Sequence, residues 1–403
     1  MTPRRTLSPS HPISRLLRAA CLTILLTALA PAQTTSLRDQ AFALERAGRN
    51  AEAETLWQQL ASQDASNPEP FAHLGLLQAR QQHLPQAIAN YQHALALNPQ
   101  FPGLALNLGL ALFKSGDYSA AIAQFQPLLA AAPPASPESL RLNELLGMAH
   151  FGLRQYTQAQ PYLTQAAQSD SANLALLLAL ANSCLLSANY QCVLSTYHRI
   201  VLINPDSAEA HMLMGEALDA MKDTPGAISQ FRAAIAANPH WPNAHFSLGY
   251  LLWTQTQYDQ ATQEFSAELE TTPNHLQATL YLADSDLALG KPDSAEPLLR
   301  RALTQDPNNP IAHRDLGILL ADRSAATPNL TNQALTELTL AAHLDPADVS
   351  THLHLARLYR SLQRPTDAKH ESDLAQQLNK ADFQSVVHLM SDPTSQPTPS
   401  PAP

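Results

Sequence analysis

Seven prolines beat time along this chain: Pro99, Pro133, Pro205, Pro239, Pro273, Pro307 and Pro346. Four of the six intervals are 34 residues; Pro133 to Pro205 is two such steps plus four, and Pro307 to Pro346 is one step plus five. A fixed period of this size constrains the fold more than any single residue does. A 34-residue stretch cannot bury its own apolar face, so it must lend that face to the next copy, and a linear stack results.

Residues 208–241 show what one repeat contains. His211, Met214, Gly215 and Leu218 are spaced i, i+3, i+4, i+7 and share one face of an α-helix. Ala227, Phe231 and Ala234 follow with the same helical spacing, and Asn238-Pro239 then stops the second helix. One repeat is therefore two antiparallel helices and two short turns. The place of Gly215 holds Gly or Ala in all ten repeats: Ala41, Gly75, Gly109, Gly147, Ala181, Gly215, Gly249, Ala283, Gly317 and Ala356. The place of Ala227 is Ala in nine, with Val193 the exception. Glycine inside a helix costs about 1 kcal/mol relative to alanine, so its recurrence there implies close approach of the two helices.

Leu-Gly steps occur at Leu74-Gly75, Leu108-Gly109, Leu146-Gly147, Leu248-Gly249 and Leu316-Gly317, and a downstream aromatic occurs in six repeats, as Trp57, Tyr91, Phe125, Tyr197, Phe231 and Phe265. This pattern resembles the tetratricopeptide repeat over about residues 34–382. It departs from that pattern where His replaces the leading aromatic four times, and where the first-helix Tyr survives only as Tyr359. The resemblance implies an all-α superhelix, a solenoid of antiparallel helix pairs whose first helices line a concave face, and a protein that binds other proteins. Some members grip a C-terminal carboxylate with Lys and Asn on those helices. Here the corresponding stripe carries Ala72 and Leu76, or Met212 and Glu216, so that grip is not expected.

Counted by the period, the repeats fall at 34–67, 68–101, 102–135, 140–173, 174–207, 208–241, 242–275, 276–309, 310–348 and 349–382. Residues 136–139 and a stretch inside 323–333 are insertions placed in turns, where a stack tolerates them. The apolar segment 383–390 is expected to cap the last repeat. Residues 391–403 are rich in Pro, Ser and Thr and are expected to be disordered.

Residues 1–32 have the order of a cleavable export signal. Arg4, Arg5, Arg15 and Arg18 precede an apolar run from Ala19 to Leu29, and small residues follow. Cleavage is expected after Ala32, and the mature chain is expected in the periplasm or outside the cell. Net charge is −10, and removing residues 1–32 leaves 20 basic against 34 acidic side chains. An acidic surface without a basic stripe argues against nucleic acid as partner. Beyond the N-terminus no apolar run is long enough to span a bilayer.

His211, His245, His313 and His352 occupy one place in four repeats, too far apart for one metal and with no carboxylate or thiolate at i+4. They read as amphipathic filler, and no metal or cofactor is expected. Cys184 and Cys192 lie eight residues apart across a helix–helix turn. They can form a disulfide in an exported protein or remain two buried thiols. No nucleophile, phosphate-loop or dinucleotide motif occurs, and the repeats fill the chain from 34 to 390, so no enzyme is expected.

Function then falls to the first-helix stripe that the repeat leaves free. In the seventh repeat it reads Asn243, Phe246, Tyr250, Trp253, three large aromatics on one ridge. Neighbouring repeats add Met148, Phe151 and Met212, and the acids Glu216, Asp219 and Asp284. These residues are the expected groove for a protein or peptide with apolar anchors and a basic group. The competing expectation is that the ridge packs on the sixth and eighth repeats for stability alone. A scaffold is the first reading, and an accessory subunit that positions an envelope enzyme or a secretion or assembly machine is the second.

Overall fold

The computed structural model describes residues 36–323 and 328–391, apart from the side chains of 328 and 381–391. The expected signal at 1–32 lies outside them, as does the tail from 392 onward. Among the described residues the chain is all α-helix, with no strand. Two compact bodies divide it, one ending at Leu153 and one starting at Arg154.

The first body holds α1 (Leu37–Arg46), α2 (Asn50–Gln63), α3 (Pro68–Arg80), α4 (Leu84–Leu97), α5 (Leu104–Lys114), α6 (Tyr118–Ala131) and α7 (Pro137–Gly152). The second opens with α8 (Tyr156–Ser169), α9 (Leu174–Leu186), α10 (Tyr190–Ile203), α11 (Ala208–Ala220), α12 (Thr224–Ala237) and α13 (Ala244–Thr254). It continues with α14 (Tyr258–Thr271), α15 (Leu276–Ala288), α16 (Pro292–Gln305), α17 (Pro310–Arg323), α18 (Pro328–Leu344), α19 (Val349–Ser361) and α20 (Pro365–Ser391). Within each body every helix packs on the next, which makes a solenoid of antiparallel helix pairs. In the second body first helices also touch across repeats, α9 to α11, α13 to α15, α15 to α17 and α17 to α19. Segment 383–390, expected as a separate cap, is the continuous end of α20, and Ser391 closes that helix.

The small places work as the period implies. A Cβ added at Gly109 would lie 2.4 Å from the Phe125 ring, and one at Gly215 would lie 2.5 Å from Phe231. At Gly75 it would lie 2.6 Å from Tyr91, whose buried phenol is pushed up to about 12 by loss of hydration. Four glycines thus face aromatics sixteen residues on, Gly249 and Phe265 being the fourth pair. The Ala227 place is buried wherever Ala holds it, including Ala53, Ala87, Ala121 and Ala261.

The turn between the two helices of a repeat is less visible in the sequence. Gly48, Gln82, Gly116, Arg154, Ala188, Lys222, Thr256, Gly290 and Gln363 hold one equivalent place, and all have φ between 56° and 85°. After eight of these the next backbone N–H donates to the carbonyl five residues back, as from Arg49 to Leu44 and from Asp223 to Leu218. This is a Schellman closure. Only three of the nine are glycine, although other residues enter this region at a cost of about 1–2 kcal/mol.

The recurring histidines are not mere filler. In His211, His245, His313 and His352, Nε2 donates to the carbonyl of the proline six residues earlier, at 2.9–3.2 Å. Their Nδ1 atoms face Glu264, Glu337 and Glu371 at 2.5–2.7 Å, and Gln230 at 2.9 Å, on the second helix of the same repeat. Each imidazole therefore ties the preceding turn to its own hairpin. Cys184 near the end of α9 and Cys192 at the start of α10 are joined by a disulfide, with Cα atoms 5.8 Å apart.

Candidate functional site: the α11–α13–α15 face

Helix α13 carries the site, and its start is held from outside. Its N-cap Asn243 is left-handed, with φ 62°, and makes no side-chain cap bond. Two first-turn backbone N–H groups, of Asn243 and Phe246, donate instead to the carboxylate of Glu268 at 3.3 and 3.2 Å. Glu268 comes from α14 and is fully buried. On the opposite side His275 caps α15, its Nδ1 accepting from the Ala278 N–H at 3.2 Å. With Nδ1 an acceptor, Nε2 carries the proton and donates to Asn243 Oδ1 at 3.2 Å. One histidine thus pins the start of α15 to the start of α13.

Phe246, Tyr250 and Trp253 follow one another along α13 at i, i+4, i+7. Their rings are nearly parallel, Phe246 to Tyr250 at 6.5 Å and 24°, and Tyr250 to Trp253 at 6.1 Å and 18°. Tyr281 of α15 meets them edge-on, 5.4 Å from Tyr250 and 5.0 Å from Trp253. The same ring stacks on Phe265 of α14 at 5.7 Å and 19°. His275 closes the other flank, 4.6 Å from Phe246. Such edge and offset contacts hold rings firmly and contribute beyond area burial. Burial raises the Tyr281 phenol, with Tyr250 and Asp284 adding to the shift.

The expected ridge is therefore only partly open. Tyr250 is 37% exposed, whereas Phe246 and Trp253 are half-buried against their neighbours. Trp253 Nε1–H donates to Asp284 Oδ2 at 2.6 Å, so Asp284 is engaged within the site. Met212 needs correction as a groove residue: it is buried in one core with Met214, Phe231 and Leu248. α9 packs on α11 as well. Met148 and Phe151 are half-buried on α7, in the first body, and do not line the recess described next.

Between α11 and α13, which approach less closely than α13 and α15 do, a recess of about 190 Å³ opens. Glu216 and Asp219 of α11 line one side, and Phe246, Ser247, Tyr250 and Leu251 of α13 line the other. Phe231 of α12 contributes to its wall. Water reaches Glu216, yet the protein packed round it strips enough hydration to push its carboxyl up from the usual range. The described residues contain no group of three or more His, Cys, Asp or Glu that could hold a metal, and no described helix is long and apolar enough to cross a membrane.

Sequence reasoning missed Tyr281, Glu268 and His275. A signal existed for Glu268, which replaces the alanine that holds its place as Ala94, Ala234, Ala302 and Ala341. Tyr281 sits one place off the stripe and joins the site only because α15 lies against α13.

Comparison with known proteins bears on the fold. Models of the tetratricopeptide repeat match residues 80–116, 150–217, 212–275 and 276–319, together just over half of the chain. No curated protein matches it. Among solved structures, the C-terminal part of a TPR repeat-containing protein from Cytophaga hutchinsonii is similar at 19% identity and TM-score 0.50, over 61% of this chain and 98% of that one. A tetratricopeptide repeat protein from Parabacteroides merdae is similar at 17% identity and TM-score 0.43, over 60% and 92%. PilF of Pseudomonas aeruginosa is similar at 19% identity and TM-score 0.44, over 54% and 98%. Likeness at these identities concerns the fold alone. With its period, its small-residue places and its paired helices, the chain belongs to the tetratricopeptide repeat family.

Proposed function

We propose that this protein is a non-enzymatic scaffold that binds a polypeptide segment of a partner across the α11–α13–α15 face. The observation that carries the reading is Tyr250: a large aromatic, open to solvent, fixed between Phe246, Trp253 and Tyr281 before any partner arrives. A pre-set ring loses little freedom on binding, and exposed aromatics of this kind anchor interfaces. The acids around it, Glu216 and Asp219, disfavour a nucleic-acid backbone. The Cys184–Cys192 bond supports the export expected from residues 1–32, because disulfides persist in oxidising compartments.

Selection of random twelve-residue peptides displayed on phage tests the reading. Peptides with an aromatic or large aliphatic residue are expected to emerge, and Tyr250→Ala should weaken the best of them about tenfold or more while leaving the thermal midpoint nearly in place. Unchanged affinity in Tyr250→Ala would remove this face as the docking surface. Trp253→Ala is a poorer probe, since it also strips Asp284 of its donor and Tyr281 of its packing.

A further inference from the structure

We infer that the recess between α11 and α13 seats one cationic side chain of the bound segment, with arginine favoured over lysine. The inference rests on the docking face proposed above and adds a charge requirement to it. Its basis is an imbalance. Glu216 and Asp219 stand three apart on one face of α11, where like charges repel. Neither side chain has a hydrogen-bond or ion-pair partner among the described residues, and the nearby Lys222 is exposed and unpaired. Asp284, the third acid of the neighbourhood, already accepts from Trp253. Two uncompensated carboxylates therefore face an aromatic wall of Phe246 and Tyr250 across a gap of about 190 Å³.

The chemistry of that gap selects its occupant. Aromatic faces attract cations, and carboxylates supply charge-assisted acceptors. A guanidinium is flat, so it can lie on the Tyr250 ring while donating to both acids; an ammonium can satisfy the acids without stacking. The volume is below that of an ordinary small-molecule pocket and holds one side chain. Apolar neighbours of the basic residue would rest on the exposed part of Tyr250, which joins the seat to the docking face.

The test uses the full chain and four capped tripeptides, acetyl-Leu-X-Phe-amide with X as arginine, lysine, citrulline or glutamate, titrated calorimetrically at low salt. Citrulline keeps the shape of arginine without its charge. The arginine peptide should bind best and the citrulline peptide about tenfold weaker or more. In the double variant Glu216→Gln, Asp219→Asn the two should come within about twofold, while Asp284→Asn should keep the arginine preference. Equal binding of arginine and citrulline peptides to the native chain, or a preference that survives the double variant, overturns the seat. Acetyl-arginine-amide alone binding as tightly as the arginine peptide overturns it too, by pointing to a free small cation. If all four tripeptides bind alike and Tyr250→Ala weakens them all, the docking face stands and the seat falls. If none binds at millimolar concentration, both fall.

Discussion

Phe265→Ala should lower the stability of the second body by about 3–5 kcal/mol, read from denaturant unfolding followed by circular dichroism. Phe265 is fully buried, and it does three jobs. It fills the space that Gly249 leaves open, where an added Cβ would lie 2.8 Å from its ring. It stacks on Tyr281 at 5.7 Å and touches Phe246 at 6.0 Å, so it also supports the aromatic face from beneath. Partner binding should therefore weaken along with stability. The pairing has a sharper test in the double-mutant cycle. Gly249→Ala alone should destabilise through overpacking, by about 1–3 kcal/mol before the gain of about 1 kcal/mol in helix propensity. In the Phe265→Ala background the clash is gone, and the same change should become neutral or stabilising. Additive effects of the two changes would refute the view that glycine is used here to admit the ring.

Glu268→Ala should cost about 1–3 kcal/mol for each of the two backbone donors it strands, the N–H groups of Asn243 and Phe246. The loss is larger than for an ordinary cap because Glu268 is fully buried and no water replaces it readily. A carboxylate at this end of α13 also meets the positive end of the helix dipole. Glu268→Gln keeps one acceptor and should fall between the native chain and the alanine variant. Peptide affinity should drop in parallel, since Phe246 and Tyr250 lie in the first two turns that Glu268 holds. A neutral Glu268→Ala would mean that α13 starts without this support.

What the sequence disclosed and what it hid have separate physical causes. The close-packed places repeat because each hairpin must solve the same packing problem, so the alanine at the Ala227 place and the glycine at the Gly215 place could be read by counting. The histidine ties were also countable. His211 and Gln230, His245 and Glu264, and His352 and Glu371 are each nineteen apart, and His313 and Glu337 differ from that only by the five-residue insertion. The left-handed turns stayed hidden because six of the nine are not glycine. The candidate site was legible as a cluster of residue types on α13 and blurred beyond it. Exposure depends on how closely successive first helices approach, and that spacing varies. Met212 is buried in the core it shares with Met214, Phe231 and Leu248, while Glu216 and Asp219 stay open where α11 and α13 stand further apart. Tyr281 turns a row of rings into an interlocked set, and no period in the chain marks it.

Hydrogen–deuterium exchange on the full chain, with and without a saturating display-selected peptide, tests the docking face most directly. The account predicts new protection concentrated in α11, α13 and the first turns of α15, and its loss in Tyr250→Ala at the same peptide concentration. Protection that falls elsewhere, on the second helices or in the first body, with α13 unchanged, would contradict it.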